Sequence, residues 1–188
     1  ESLMEPIDMA ELKARGPKSK VEELRIELYD RVNALGIGAQ GLGGLSTVLL
    51  THLHVDHCFG VAPFIYAGWF NGRKQLRVFG PSTTREFIDV QVNNVYARDI
   101  QLRLSHGRPA AGIKDVAVTE IQAGLVLEID SCRISALRVL HNAPSETYAL
   151  RFEDGAGHSL VISSDTGYCE ALATFAQGSD LLVHECYL

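Results

Sequence analysis

A domain that mixes helices and strands, the α+β class, is what this sequence predicts, and three patterns carry the prediction. From Lys20 to Leu35 the apolar residues Val21, Leu24, Leu28, Val32 and Leu35 fall on one helical face. Further on, Val116–Ile121, Leu125–Ile129 and Cys132–Leu140 alternate in the manner of half-buried strands. Between these lies Thr47–Leu50, a short apolar and β-branched run that reads as a buried strand and leads directly into a histidine-rich segment.

The 188 residues are enough for one domain, taken as 1–188, with a sizeable core. With 46% hydrophobic and 21% charged residues the balance is that of a globular protein. A net charge of −6 and a pI near 5.6 argue against gripping a polyanion through a broad basic surface. No apolar run approaches the ~20 residues of a membrane span, and no signal peptide is visible. Cys58, Cys132, Cys169 and Cys186 lie far apart with no CxxC spacing, which reads as reduced thiols in a cytoplasmic protein.

In chain order, Glu1–Lys20 is polar and broken by Pro6, Gly16 and Pro17, as expected of a loop or short helix and a turn. The helix after it stops at Gly36. Gly36–Gly44 holds five glycines, yet no GK[ST] follows and no strand precedes it, so it reads as a connector rather than a phosphate-binding loop.

Next comes Thr47–Gly60, TVLLTHLHVDHCFG, with four candidate metal ligands: His52, His54, Asp56 and His57. In an extended chain residues i and i+2 share a face, so His52 and His54 can converge on one ion. Asp56 and His57 are neighbours and point apart in a strand. They serve a second ion only if the chain turns there into a helix beginning near Asp56. Imidazole with carboxylate suits zinc, or iron and manganese where carboxylates weigh more.

After the motif, Phe59–Phe70 continues as a helix behind the site. In it Tyr66, Trp69 and Phe70 are expected to be packing residues rather than a pocket wall. Gln75–Gly80 reads as a strand, Pro81 opens the next element, and Ser82–Ala97 is helical with Phe87, Ile88, Val92 and Val95 inward. His106 lies in a turn-like LSHGRP. The three alternating segments from Val116 to Leu140 are expected in one second sheet, and the third ends at His141 before Asn142, Ala143 and Pro144. Tyr148–Phe152 and Ser159–Ser163 form a hairpin with His158 exposed at its tip. Leu160–Thr166 is a buried strand ending in Asp165. Glu170–Gln177 is a helix, and Asp180–Val183 one more strand before His184 and Glu185.

THLHVDH matches the HxHxDH signature of the metallo-β-lactamase superfamily, and the resemblance runs from about Leu35 to the end. It implies a four-layer αββα sandwich with one or two metals at the sheet edges. The strand, Gly80–Pro81 and helix that follow resemble the ribonuclease Z branch and related arylsulfatase-like members. Ser164-Asp165-Thr166 resembles the GDT element, with serine at the usual glycine, and LLVHECYL resembles a HEAT-type element. The resemblance implies a metal-ligand set of His52, His54, His141, Asp56, His57 and Asp165. His52, His54 and His141 hold one ion, Asp56 and His57 the other, and Asp165 bridges ions about 3.5–4 Å apart. Glu185 is then a supporting acid or proton relay, His184 a pocket residue, and Asp56 orients the attacking hydroxide.

The N-terminal part departs from that pattern, since no segment resembling LIDCG precedes the motif. The first sheet is therefore expected to be incomplete, in a fragment or in joined pieces of a longer chain. The family's final histidine would fall beyond Leu188, which leaves the second site one ligand short. The implied activity is a hydrolase with two divalent ions, zinc before manganese or iron, and a metal-bridging hydroxide. Residual positive charge favours an anionic substrate. A phosphodiester heads the readings, as an RNA 3′ end or a smaller anionic molecule. An arylsulfatase, lactonase or other small-ester hydrolase is the alternative, and a non-catalytic metal-binding scaffold comes last. Family members are often homodimers, although no residue here marks an interface.

Overall fold

The computed structural model describes residues 13–16, 39–129, 131–142 and 146–186. The helix expected over 20–35, nearly all of the polar N-terminal stretch, and Ala143 and Pro144 lie outside the described residues.

After a 3₁₀ turn at Ala39–Gly43, strand β1 (Thr47–Leu49) leads to the one-turn helix α1 (Val55–Cys58) and then to α2 (Val61–Phe70). Strand β2 (Leu76–Gly80) follows, then α3 (Thr84–Asp89), a π-helical turn at Val90–Val95, α4 (Ala97–Ser105) and β3 (Val116–Glu120). Strands β4 (Gly124–Ile129), β5 (Cys132–Arg138), β6 (Tyr148–Glu153) and β7 (Ser159–Ile162) precede α5 (Glu170–Ala176) and β8 (Leu181–Val183).

Two sheets result. The first has the order β1-β2-β3 and is parallel throughout, with Val48 opposite Val78 and Val78 opposite Val118. The second has the order β4-β5-β6-β7-β8, antiparallel except for the β7–β8 pair. All three parallel joins are bridged by helices, as parallel neighbours require. Val116–Glu120 thus belongs to the first sheet and not, as its alternation suggested, to the second. The crossover through α3 and α4 returns the chain beside β2 in the same direction, and an alternating pattern does not reveal which sheet a strand joins.

Side-chain alternation builds the layers. Leu76 and Val78 of β2 face the helices, packing with Ile65 and Trp69 of α2, Ile88 of α3 and Ile100 of α4. Phe79, on the opposite face of β2, packs with Ala136, Tyr148 and Leu150 between the sheets. The far face of the second sheet presents Ala149 and Val161 to Leu172 of α5. The order is helices, sheet, sheet, helix, the αββα arrangement of the metallo-β-lactamase fold.

Three local departures have physical causes. The single helix expected over Ser82–Ala97 is interrupted by the π-turn. Its wider winding keeps Ile88 and Val92 inward and carries Val95 out to 60% exposure. Helix α2 starts afresh at Val61 after Gly60 instead of continuing from Phe59. Strand β7 ends at Ile162, short of Thr166, because Ser164 adopts a left-handed φ of 57° that turns the chain out of the sheet. Among the described residues no helix is long and apolar enough to cross a membrane.

Candidate metal centre

The ends of four strands converge here. The loop after β1 is clamped to both sheets, since Leu50 N donates to Phe79 O (2.7 Å) and Tyr148 N donates to Thr51 O (3.0 Å). His52 therefore enters where the sheets meet, and it is fully buried. The chain then turns into α1, which aims His57 inward. His141 follows β5, Asp165 follows β7, and Glu185 follows β8. Gly167 N donates to Leu140 O (2.6 Å), tying the loops after β5 and β7 together.

Four imidazoles crowd this point. The His52 ring centroid lies 4.6 Å from that of His54, 4.2 Å from His57 and 5.1 Å from His141. His141 Nε2 and His54 Nδ1 are 3.1 Å apart. The Asp165 carboxylate reaches His57 at 3.2 Å, His141 at 3.8 Å and His52 at 4.0 Å. Two sets of donor atoms come together within 4.8 Å: His52, His54 and His141, and His52, His57 and Asp165. These sets make the cluster a candidate site for divalent metal ions.

The chemistry of the cluster fits cations. His52 Nδ1 lies beside the hydroxyls of Thr51 (3.2 Å) and Ser164 (3.4 Å), whereas its buried Nε2 has no hydrogen-bond partner among the described residues. A hydroxyl that accepts from Nδ1 leaves Nε2 as a lone pair directed at the neighbouring rings and Asp165. Burial holds the His52 pKa down to about 4, reinforced by His57 and His54 and partly opposed by Asp165. At neutral pH His52 is thus uncharged, the form that ligates. A buried polar nitrogen without a partner is costly, and imidazole nitrogens converging around a carboxylate are the surroundings in which a metal ion removes that cost.

Asp56 sits at the rim. Its side chain is 77% exposed and Oδ2 lies 3.5 Å from His57 Nε2. On a one-turn helix adjacent residues diverge by ~100°, so α1 brings His57 against His52 and leaves Asp56 more exposed, with its carboxylate still within reach of His57 Nε2. The second donor set draws on His52 in addition to His57 and Asp165. His184 is exposed, and its Nδ1 lies 2.7 Å from the Glu185 carbonyl, which can only accept. Nδ1 therefore donates to that carbonyl. The Glu185 carboxylate accepts from Thr166 N, and Glu185 N donates to Ser163 Oγ (3.3 Å), so Glu185 braces the loop that carries Asp165. His106 caps α4 and His158 pairs with Asp154 at the β6–β7 turn.

Thr51 and the Ser163 hydroxyl were not singled out from the sequence, since hydroxyl residues beside ligands carry no spacing signal. Ser164 was noted only for the glycine that it replaces. Its φ of 57° shows that the position does adopt the conformation glycine favours, and its Oγ faces His52.

Residues 33–188 match the family model of the beta-lactamase superfamily domain. Residues 2–63, a third of the chain, also match a model described as fumarate hydratase (fumerase), overlapping the first over 33–63. Ribonuclease Z of Mycobacterium marinum is 34% identical over 162 residues, 84% of this chain and 56% of that protein. Ribonuclease Z of Mycobacterium tuberculosis is 32% identical over 84% of this chain and 55% of its own length. The chain thus spans about half the length of the curated relatives it matches. Among solved structures, the metallo-β-lactamase fold protein YhfI of Bacillus subtilis superposes with a TM-score of 0.59 at 23% identity, over 84% of this chain and 56% of that one. A long-form RNase Z from yeast superposes with a TM-score of 0.56 at 16% identity, over 82% of this chain and 25% of that one. With its model matching 156 of 188 residues, this chain belongs to the beta-lactamase superfamily.

Proposed function

We propose that this chain forms the metal-binding part of a phosphodiesterase of the ribonuclease Z kind, working with two divalent ions, zinc foremost, on an RNA 3′ end or a smaller phosphodiester. The observation that carries the reading is the buried, unpartnered Nε2 of His52 at the meeting point of two overlapping sets of donor atoms. Similarity to proteins named ribonuclease Z supports the choice of substrate.

In this reading His52, His54 and His141 would hold one ion through one nitrogen each, Asp56 and His57 the other, and Asp165 would serve beside both. When bound, such ions supply Lewis-acid charge and make water reactive at neutral pH. The chain's own residues do the rest. Asp165 offsets part of the cationic charge, so that an anionic phosphodiester is drawn in without an excess that would trap the product. Glu185 holds the Asp165 loop in place through Thr166 N. Asp56, exposed beside His57, is placed to hold a proton at the rim. His184 would receive or return one as a pocket residue. Burial of His52 and the contact between the sheets exclude water from the inner wall of the site.

The test is hydrolysis of bis-p-nitrophenyl phosphate by the full chain reloaded with zinc or manganese, beside a chelated control and an aryl sulfate. Chelator-sensitive phosphodiester turnover is expected. Turnover of the sulfate alone would overturn the phosphodiesterase reading.

A further inference from the structure

The protein carries −6 overall, yet Ala97–Lys114 holds four cations (Arg98, Arg103, Arg108, Lys114) against one anion (Asp99), a local net of +3. Two of these cations lie over one aromatic ring. The Arg103 guanidinium lies 4.7 Å and that of Arg108 4.9 Å from the centroid of Phe70, a side chain left 41% exposed at the end of α2. Arg108 also lies 5.3 Å from the ring of Trp69, which is itself buried and fixed by Nε1 donating to Pro109 O (2.8 Å). An open cleft beside them is lined by Arg103, His106, Gly107, Arg108 and Pro109.

We propose that this surface docks a single RNA strand, with phosphates on Arg103, His106 and Arg108 and a base on the exposed part of Phe70. The proposal rests on the RNA-directed reading above and names a second contact for the same substrate, remote from the metal cluster. A guanidinium held over a ring by cation–π attraction can still use its N–H groups to meet a phosphate, bidentately where two of them are free. Asp99 takes only the Nε of Arg103, at 2.6 Å, and leaves both terminal nitrogens. Arg108 makes one long bond, Nη1 to Phe70 O at 3.5 Å. Aromatic faces interleaved with cations are the means by which single strands are held without sequence preference. An acidic peptide would meet the cations but offers a ring only where it carries an aromatic residue, whereas every nucleotide brings a base beside its phosphate.

Placement sets the length of strand required. Helix α2 begins just beyond the ligand motif and ends at Phe70, and its ten residues span about 15 Å at ~1.5 Å each. A stacked strand rising ~3.4 Å per nucleotide covers that in about four or five nucleotides. RNA of that length or longer reaches from the cluster to the patch, whereas a dinucleotide does not.

The experiment measures binding of a fluorescein-labelled 12-nucleotide RNA to the chelator-treated full chain by anisotropy, over a salt series, beside turnover of bis-p-nitrophenyl phosphate by the zinc-loaded chain. Arg103→Gln/Arg108→Gln should weaken RNA binding about tenfold. It should also flatten the slope of log K against log salt by about 1.4, the value for two phosphate contacts on a single strand. Arg103→Lys/Arg108→Lys should keep the slope, Phe70→Leu should weaken binding several-fold, and all three should turn over the small phosphodiester as the unaltered chain does. RNA affinity within twofold in the Gln pair would overturn the proposal. So would polyglutamate binding that matches RNA and ignores Phe70→Leu. Patch-dependent RNA binding without any phosphodiester turnover would sink the hydrolase reading alone.

Discussion

Replacing Gly68 by alanine should destabilise this protein, although helix propensity by itself argues the opposite. Gly68 lies in α2, where a Cβ would come within 2.2 Å of Arg73 Cζ and Nη1 and 2.7 Å of Nη2. That guanidinium has nowhere to go. Arg73 is only 2% exposed and donates to Ile65 O (2.8 Å), Phe64 O (3.1 Å) and Leu45 O (3.3 Å), with its ring-facing side 4.7 Å from Phe64. Hydrogen bonds from a charged donor contribute about 1.5–3 kcal/mol each, so losing one or two costs about 3–4 kcal/mol. Alanine's better helix propensity returns about 1 kcal/mol. The net is a loss of about 2–3 kcal/mol, and at ~2–4 °C per kcal/mol for a chain of this size Tm should fall by about 5–10 °C. Thermal unfolding followed by circular dichroism reads this directly. An unchanged or raised Tm would show that Arg73 moves aside freely and that the cage of carbonyls does not hold α2 in place behind the histidine motif.

Other consequences follow from the site. Glu185→Ala should weaken metal affinity about 10–100-fold, the usual effect of removing a carboxylate that orients ligands. Glu185→Gln, which keeps an acceptor for Thr166 N, should lose less, and competition with a chromogenic chelator ranks the two. Ser164→Gly relieves a left-handed strain of about 1–2 kcal/mol but frees the unfolded chain by ~0.4–1 kcal/mol. The net gain of about 0.8 kcal/mol should raise Tm by about 2–3 °C, while metal affinity drops as His52 loses the Ser164 hydroxyl. The Asp154 side chain accepts from His158 and raises its pKa above 6.5. Because the folded value is the higher one, the pair's small stabilisation is present below pH 6.5 and lost as pH rises through the raised value. Asp154→Asn should bring the NMR titration midpoint of His158 down toward ~6.5.

How far the sequence foretold the site depended on whether the chemistry was local. His52, His54 and His57 stand within six residues after an apolar strand, so their type and spacing announce a metal cluster. His141 and Asp165 lie far along the chain and were legible only as residues at strand ends within a family pattern. Alternation placed most strands of the second sheet but could not place Val116–Glu120, because a half-buried strand looks the same whichever sheet it joins. Nor could a 3.6-residue period anticipate the π-turn that swings Val95 outward, or the one-turn helix that leaves Asp56 at the rim. The overlap of two donor sets at His52, the Arg73 cage and the placement of Arg103 and Arg108 over Phe70 come from tertiary contacts alone. Spacing in the sequence does not encode them.

The most direct test of the account is the metal content of the chain at equilibrium, by inductively coupled plasma mass spectrometry after dialysis against limiting zinc, for the unaltered protein and for His52→Asn. His52 supplies the buried nitrogen of the His52, His54 and His141 set, so the account expects bound zinc in the unaltered chain and loss of at least that ion in the variant. A variant that retains the full zinc content would contradict the assignment of His52 and with it the proposed centre.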